Sequence, residues 1–222
     1  MPQQNRQLAA ILFTDIVGYT AMMQQDEQNA VVVNKRYVSV LKQSVSLHGG
    51  EILNDYGDGS LCTFSSATEA VRCAMEMQQQ LQMEPKVPLR IGLHVGEIFF
   101  EDGKVFGDGV NVASRIQSLS IANSILFSSE INSKLKNQQE FKNVSVGWFE
   151  FKNVDEPMEV FALANDGLIV PKQEEMSGKL KEIQKKSTRN RWLAFVTLIV
   201  LLVAGFFIYK YFTAATDLKG GK

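Results

Sequence analysis

An α+β fold, one sheet with helices on one face, is what the chain predicts, and three observations carry that reading. Short apolar runs alternate with amphipathic stretches of helical period. Glycine-rich turns punctuate several of the runs at hairpin spacing. The 222 residues, 45% of them apolar, suffice for one ordinary core plus an appendage and not for two large cores.

The elements follow in order. Residues 8–14 (LAAILFT) read as a buried strand that ends at Asp15. Residues 24–48 have a helical pattern, with Ala30, Val33, Tyr37, Val40, Leu41, Val45 and Leu47 near the 3.6 period, stopped by Gly49-Gly50. Glu51–Asn54 and Ser60–Phe64 flank Tyr56-Gly57-Asp58-Gly59, which has hairpin turn chemistry. Ala67–Met83 is an amphipathic helix behind a Ser/Thr-rich cap. Leu89–Val95 and Glu97–Phe100 read as strands separated at Gly96. Gly109–Ser118 begins another helix, Ile125–Ser128 is a strand, and Ser129–Leu135 is a short helix. Ser145–Phe151 and Met158–Leu163 close the domain as a strand pair.

The net charge of −1 offers no basic surface for nucleic acid. Cys62 and Cys73 sit in apolar stretches outside any CxxC pair and read as reduced core cysteines. His48 and His94 have no partner at metal-ligand spacing and read as structural. The methionines at 75, 77 and 83 read as core and surface of one helix.

The C-terminal part differs in character. Trp192–Tyr209 (WLAFVTLIVLLVAGFFIY) is 18 residues without a charge, enough to cross a hydrocarbon core of about 30 Å. Trp192, Tyr209 and Tyr211 mark its edges. Lys and Arg are denser before it than after it, which places residues 1–191 in the cytoplasm. The expected organisation is a domain over 1–167, a charged linker over 168–191, a single-pass membrane helix over 192–209 and a tail over 210–222. Met176, Leu180 and Ile183 have heptad spacing, so the linker reads as either a short coiled coil or a solvated basic segment. The tail, ending LKGGK, has the look of a cut linker, and the protein is expected to continue beyond it.

Chemistry concentrates on Asp15 and Asp58, each at the end of a strand-like run. Two carboxylates at adjacent strand ends can hold two Mg²⁺ ions, which prefer oxygen donors and complete their shells with substrate phosphates. Such a pair of ions suits attack of a hydroxyl on phosphorus. Ile16, Val17 and Gly18 lie between Asp15 and the next helix, whose N-terminus can cradle phosphates. Either aspartate alone would be read as a turn or cap residue.

FTDIVGYT (13–20), GGEILNDYGDG (49–59) and VFGDGVNVASRI (105–116) together resemble, in order and spacing, the signature blocks of class III adenylate and guanylate cyclases. FKNVDEPMEVFAL (151–163) is similar to the end of that domain. The resemblance runs from about Leu8 to Leu163. It implies a ferredoxin-like βαββαβ core with additions, working as a head-to-tail homodimer with active sites across the interface. It implies Asp15 and Asp58 as metal ligands for two Mg²⁺ or Mn²⁺ per site, with Ile16 contributing its carbonyl. Asn111 and Arg115 match the residues that orient the ribose and stabilise the transition state, and Lys152 falls where the family binds triphosphate. The implied reaction converts a nucleoside triphosphate, ATP first, to a 3′,5′-cyclic nucleotide and pyrophosphate.

Two positions depart from the pattern. Where the family reads the base, four residues before Asp58 and seven before Asn111, this chain has Asn54 and Lys104. Adenylate cyclases usually have Lys, then Asp or Thr; guanylate cyclases have Glu, then a small polar residue or Cys. Asn54 can donate or accept, and Lys104 only donates. A donor facing the adenine amino group is mismatched, so GTP or a pyrimidine triphosphate stays open as substrate. So does a module that binds nucleotide or dimerises without turnover. GGEI (49–52) resembles the GGDEF signature of diguanylate cyclases but has Ile52 and then Leu53 where that signature has its acidic fourth residue and aromatic end.

Overall fold

The computed structural model describes residues 6–101, 104–152, 154 and 156–176. The membrane helix expected over 192–209 lies outside them. Among the described residues no helix is long and apolar enough to cross a membrane.

Strand β1 (Arg6–Ile16) leads into α1 (Tyr19–Gln25) and α2 (Glu27–Leu47), then β2 (Glu51–Asp55), β3 (Gly59–Phe64), α3 (Ala67–Leu81) and β4 (Leu89–Glu101). These form a βαββαβ unit with strand order β2-β3-β1-β4, and every neighbouring pair in it is antiparallel. The additions are β5 (Lys104–Phe106), α4 (Asp108–Leu119), β6 (Ile125–Ser128), α5 (Ser129–Leu135), β7 (Asn143–Phe149), β8 (Met158–Leu163) and α6 (Gln173–Met176). They extend the sheet through β6, parallel to β4, then β8 and β7, while β5 pairs with the far end of β4.

The helical segment expected over 24–48 begins earlier and is broken once. Asp26 takes an extended conformation between α1 and α2, and its side chain accepts from Asn29 N at 3.0 Å, which caps α2. Ser66 caps α3 the same way through Glu69 N. The expected break at Gly96 is absent: β4 runs straight through it. Gly96 serves α4 instead, because a Cβ there would lie 2.7 Å from the Gly109 Cα.

Helices cover both faces of the sheet, not one. Ala10, Leu12 and Ile16 of β1 pack into the main core with Tyr37, Leu41, Val71, Met77, Ile131 and Leu135 from α2, α3 and α5. Ala9 and Ile11 of the same strand pack on the other face against Ala113 of α4 and Ile98. The unbroken apolar run LAAILF is the physical reason, since a strand wet on one face would alternate with polar residues. Cys62 and Cys73 are buried free thiols in the main core. Of the three heptad positions only Met176 is described, and it is buried against the core cluster that holds Phe149 and Val160. Leu180 and Ile183, the other two positions of the expected coiled coil, lie outside the described residues.

His48, at the C-terminal cap of α2, joins that helix to α3. Its Nδ1 lies 2.8 Å from Glu69 Oε2 and its Nε2 2.9 Å from Glu76 Oε2. Partial burial pulls its pKa down, but the two carboxylates outweigh that and hold it above the ordinary histidine value. Hydrogen bonding to His48, ahead of Arg72, holds the Glu69 pKa below its ordinary value. A raised folded-state pKa stabilises fully below the unfolded value of about 6.5 and is lost as pH rises through the folded one. A lowered carboxylate pKa stabilises above about 4.3 and is lost on acidification. The stability gap between wild type and His48→Gln, measured by denaturant unfolding, is therefore expected to peak between roughly pH 4.5 and 6.5 and to shrink on either side.

Candidate active site

Asp15 and Asp58 are brought together by backbone pairing. Asp15 stands opposite Gly59 in the β1–β3 register, and Ile16 N donates to the Asp58 carbonyl at 2.7 Å. Gly59 makes the approach possible: a Cβ on it would lie 2.3 Å from the Thr14 carbonyl oxygen. The turn that delivers Asp58 is closed by Tyr56 N to Gly59 O at 2.8 Å, and Gly57 N donates to Asp55 Oδ1 at 2.9 Å. Gly57 itself has φ +91°, a conformation that favours glycine.

Sequence reasoning missed the cation beside Asp15. Arg90 is its register partner on β4, and the guanidinium donates from Nε at 2.7 Å and Nη2 at 2.6 Å to one oxygen, Oδ2. The signal was an arginine opening an apolar strand (LRIGLHV), unreadable until β4 is known to lie against β1. Asp58 has no ion pair or side-chain hydrogen bond among the described residues.

The expected phosphate cradle is partly committed elsewhere. The Ile16 N–H serves Asp58, and Val17 N donates to the Pro88 carbonyl at 2.8 Å. Gly18, at φ +75° in open space, starts α1, which has only 7 residues. Asn54 stands on β2 opposite Leu61, beside a register shift at Ile52/Asn54. It shares the face that carries Leu61 and Phe13.

Asn111, on α4, lies at the other end of β1, and Arg115, two residues before the Gln117 that meets Gly92, lies further along toward the aspartate end. Asn111 is exposed and lines a groove of about 270 Å³ with Arg6, Glu97, Phe99 and Gly107. Gly109, two residues earlier, touches Gly96, which pairs with Ala9. From Ala9 to Asp15 the strand advances roughly 20 Å. Lys104 pairs through its backbone with Glu101, beyond the same end. Arg115 is half-buried, and its Nη1 is buried without a hydrogen-bond partner. Lys152 is exposed in the turn between β7 and β8. One copy of the chain thus holds Asp15, Ile16, Asp58, Val17, Gly18 and Asn54 at one end of β1, with Lys104 and Asn111 at the other.

The donor set at the aspartate end fits a hard divalent cation. Two carboxylates on neighbouring strand ends supply oxygen and charge. Among the described residues no group of three His, Cys, Asp or Glu side chains forms a full protein cage. Mg²⁺ commonly takes one or two carboxylates and keeps its remaining positions for water and phosphate.

The sequence and the fold have counterparts among known proteins. The profile of the adenylate and guanylate cyclase catalytic domain matches residues 1–165. A relative described as putative adenylate cyclase 3 of Rhizobium meliloti is 36% identical over 164 residues, covering 70% of this chain. This chain spans only 28% of that relative's length. The crystal structure of an adenylate/guanylate cyclase/hydrolase from Silicibacter pomeroyi superposes with TM-score 0.68 at 32% identity, over 74% of this chain and all of that one. The adenylyl cyclase CyaB of P. aeruginosa shares the fold, with TM-score 0.67 at 21% identity over 73% of this chain and 96% of that one.

Gly59 gives the sharpest test of the site's construction. Gly59→Ala is expected to force β3 away from β1, costing on the order of 1–3 kcal/mol in denaturant unfolding, as overpacking of a tight contact does.

Proposed function

The chain belongs to the adenylate and guanylate cyclase catalytic-domain family, and from that premise we propose that it is a nucleotidyl cyclase working as a head-to-tail homodimer. One observation carries the proposal: the aspartate pair and Asn111 stand toward opposite ends of β1, roughly 20 Å apart by strand rise. In one copy the aspartates and Asn111 stand too far apart to meet at one ribose and its α-phosphate. Two copies related by a twofold axis would set the aspartate end of each against the Asn111 end of the other, making two equivalent sites. The part of the sheet face beyond α4 suits burial by that partner. Phe13 there stacks on exposed Tyr56, with ring centroids 6.3 Å apart.

In this reading Asp15, Asp58 and the Ile16 carbonyl of one copy hold two Mg²⁺ or Mn²⁺. Bound there, such ions would supply positive charge for attack of the ribose 3′-hydroxyl on the α-phosphate with pyrophosphate as the leaving group. Arg90 keeps one oxygen of Asp15 in place. Asn111 of the other copy orients the ribose. Arg115, one helical turn further, has an unpaired buried Nη1 and meets the charge that builds on the phosphorus oxygens; its guanidinium cannot lose its proton. Val17, Gly18 and Lys152 lie at the triphosphate. The domain contributes positioning and charge compensation and forms no covalent intermediate.

ATP is the first substrate proposed, supported by the relatives named adenylate cyclase. Asn54 and Lys104 support a second reading, GTP or a pyrimidine triphosphate. The Lys104 ammonium is donor-only and matches a ring carbonyl better than the adenine amino group. The domain is further proposed to sit on the cytoplasmic face of a membrane, tethered by residues 192–209. The uncharged length of that segment and the cationic residues before it support this.

The test incubates the full chain with each of the four ribonucleoside triphosphates and Mg²⁺ or Mn²⁺ and identifies the products. Cyclic AMP from ATP is expected. Asp58→Ala is expected to lower the rate on the order of 10²-fold or more. A pure cyclic product from another triphosphate selects the second reading, and no cyclic product from any leaves a binding or dimerisation module. Mixing Asp15→Ala with Arg115→Ala protein should restore about a quarter of wild-type activity, because half the dimers then carry one intact site. No recovery in mixtures shown to exchange subunits would overturn the divided site.

A further inference from the structure

Helix α2 touches both aspartate-bearing chain segments from one of its faces. Asn34 and Tyr37 are three residues apart and therefore neighbours on the helix surface. Asn34 Nδ2 donates to the carbonyl of Gly57, the residue before Asp58. Tyr37 Oη lies 2.5 Å from the hydroxyl of Thr14, the residue before Asp15, and donates at 2.8 Å to Ser60 Oγ, two residues past Asp58. Ser60 N in turn donates to Thr14 Oγ1 at 3.0 Å.

Counting donors closes a ring. The Tyr37 proton goes to Ser60, so Thr14 donates to Tyr37, and Thr14 accepts from the Ser60 N–H. Tyr37 and Ser60 are fully buried and Thr14 nearly so. Burial holds the phenol well above its ordinary pKa, so it keeps the proton that the ring requires. A polar ring inside an apolar core is costly unless every member is satisfied, and here each hydroxyl has a partner.

The direction of these contacts matters. Successive side chains on a strand point to opposite faces. Pinning Thr14 on the α2 side therefore fixes the strand's rotation and with it the direction of the Asp15 carboxylate on the other side. Pinning Gly57 and Ser60 does the same on either flank of Asp58. We propose that Asn34 and Tyr37 are positioning residues that set the relative placement of the Asp15 and Asp58 carboxylates, so that cation affinity at that pair depends on them. The proposal rests on the reading of Asp15 and Asp58 as metal ligands.

The test measures Mn²⁺ binding directly, by the loss of the free-ion paramagnetic resonance signal on titration with the full chain, without turnover. Wild type is expected to bind in a manner abolished by Asp15→Ala. Tyr37→Phe, Asn34→Ala and Thr14→Val are expected to weaken binding on the order of tenfold, the usual effect of removing a group that orients a ligand. Thr14→Ser keeps the hydroxyl and is expected to bind as wild type does. His48→Gln, at the far end of α2, should lower thermal stability and leave Mn²⁺ affinity unchanged. Asn34→Ala keeps the proposal testable if Tyr37→Phe does not fold. Asp15-dependent binding that is unchanged in Asn34→Ala and Thr14→Val overturns this proposal alone, as does equal weakening in His48→Gln. Absence of Asp15-dependent binding overturns the metal-site reading and this proposal with it.

Discussion

The structure depends on β1 being buried on both faces and paired on both edges. Its neighbours are β3 on one side and β4 on the other, and both pairings are antiparallel. That geometry puts the C-terminal end of β1 beside the start of both neighbours. Asp15 consequently meets Gly59 on one side and Arg90 on the other. Nothing else in the chain needs to move to gather two carboxylates and a guanidinium. A slip of one residue in either pairing would turn Asp15 toward the main core, among Leu12, Leu89 and Ile91. The glycine at 59 enforces the register sterically, because the closest approach of β3 to Thr14 has room for no side chain.

The same central strand underlies the division of the proposed site. Helix α4 packs on β4 and β1 through Gly92, Gly96 and Gly109, all at positions where a Cβ would collide with the facing backbone. The Gly96–Gly109 contact fixes the N-terminus of α4 near Ala9, and hence Asn111 near Arg6 and Glu97, while the Gly92–Gln117 contact sets the other end of the helix beside the partner of Phe13. The rigidity that makes each half precise also keeps the halves apart. Flexing a buried strand to join them would break the ladder on both edges, whereas a second copy needs no internal change. For the proposed site, association is therefore the less costly way to bring the two halves together.

Much of this was legible in the sequence, element by element. The β6 strand and α5 helix fall where periodicity places them, and the hairpin around Gly57 and Gly59 follows from turn chemistry. The failures have physical causes. Gly96 reads as a break because a glycine in a strand weakens it locally, yet the residue answers a non-local need, the approach of α4. Both-faced burial was written in LAAILF, but a short apolar run alone does not say what covers its second face. Arg90 was invisible as a site residue because register is a tertiary fact. The hydroxyl ring of Thr14, Tyr37 and Ser60 was hidden for a related reason: each reads alone as an ordinary strand or core residue, and only the fold makes them neighbours.

Division of the site carries a consequence for control. If each chain supplies half of two sites, activity follows the population of dimers, and it rises with local concentration before any ligand acts. Confinement to a membrane surface would raise that concentration without a new contact, as linking two modules does. Residues 168–176 bear on how such a tether would act. Ile169 N donates to the Asn123 carbonyl at 3.0 Å, and Val170 and Met176 pack against the cluster formed by α4, β7 and β8. The chain therefore leaves the described domain from the side that carries α4, not from the edge strand β2. A displacement passed along it would reach α4, which holds Asn111 and Arg115, before it reached the aspartates. Val170, Met176 and the buried face of α4 thus belong to one packed cluster.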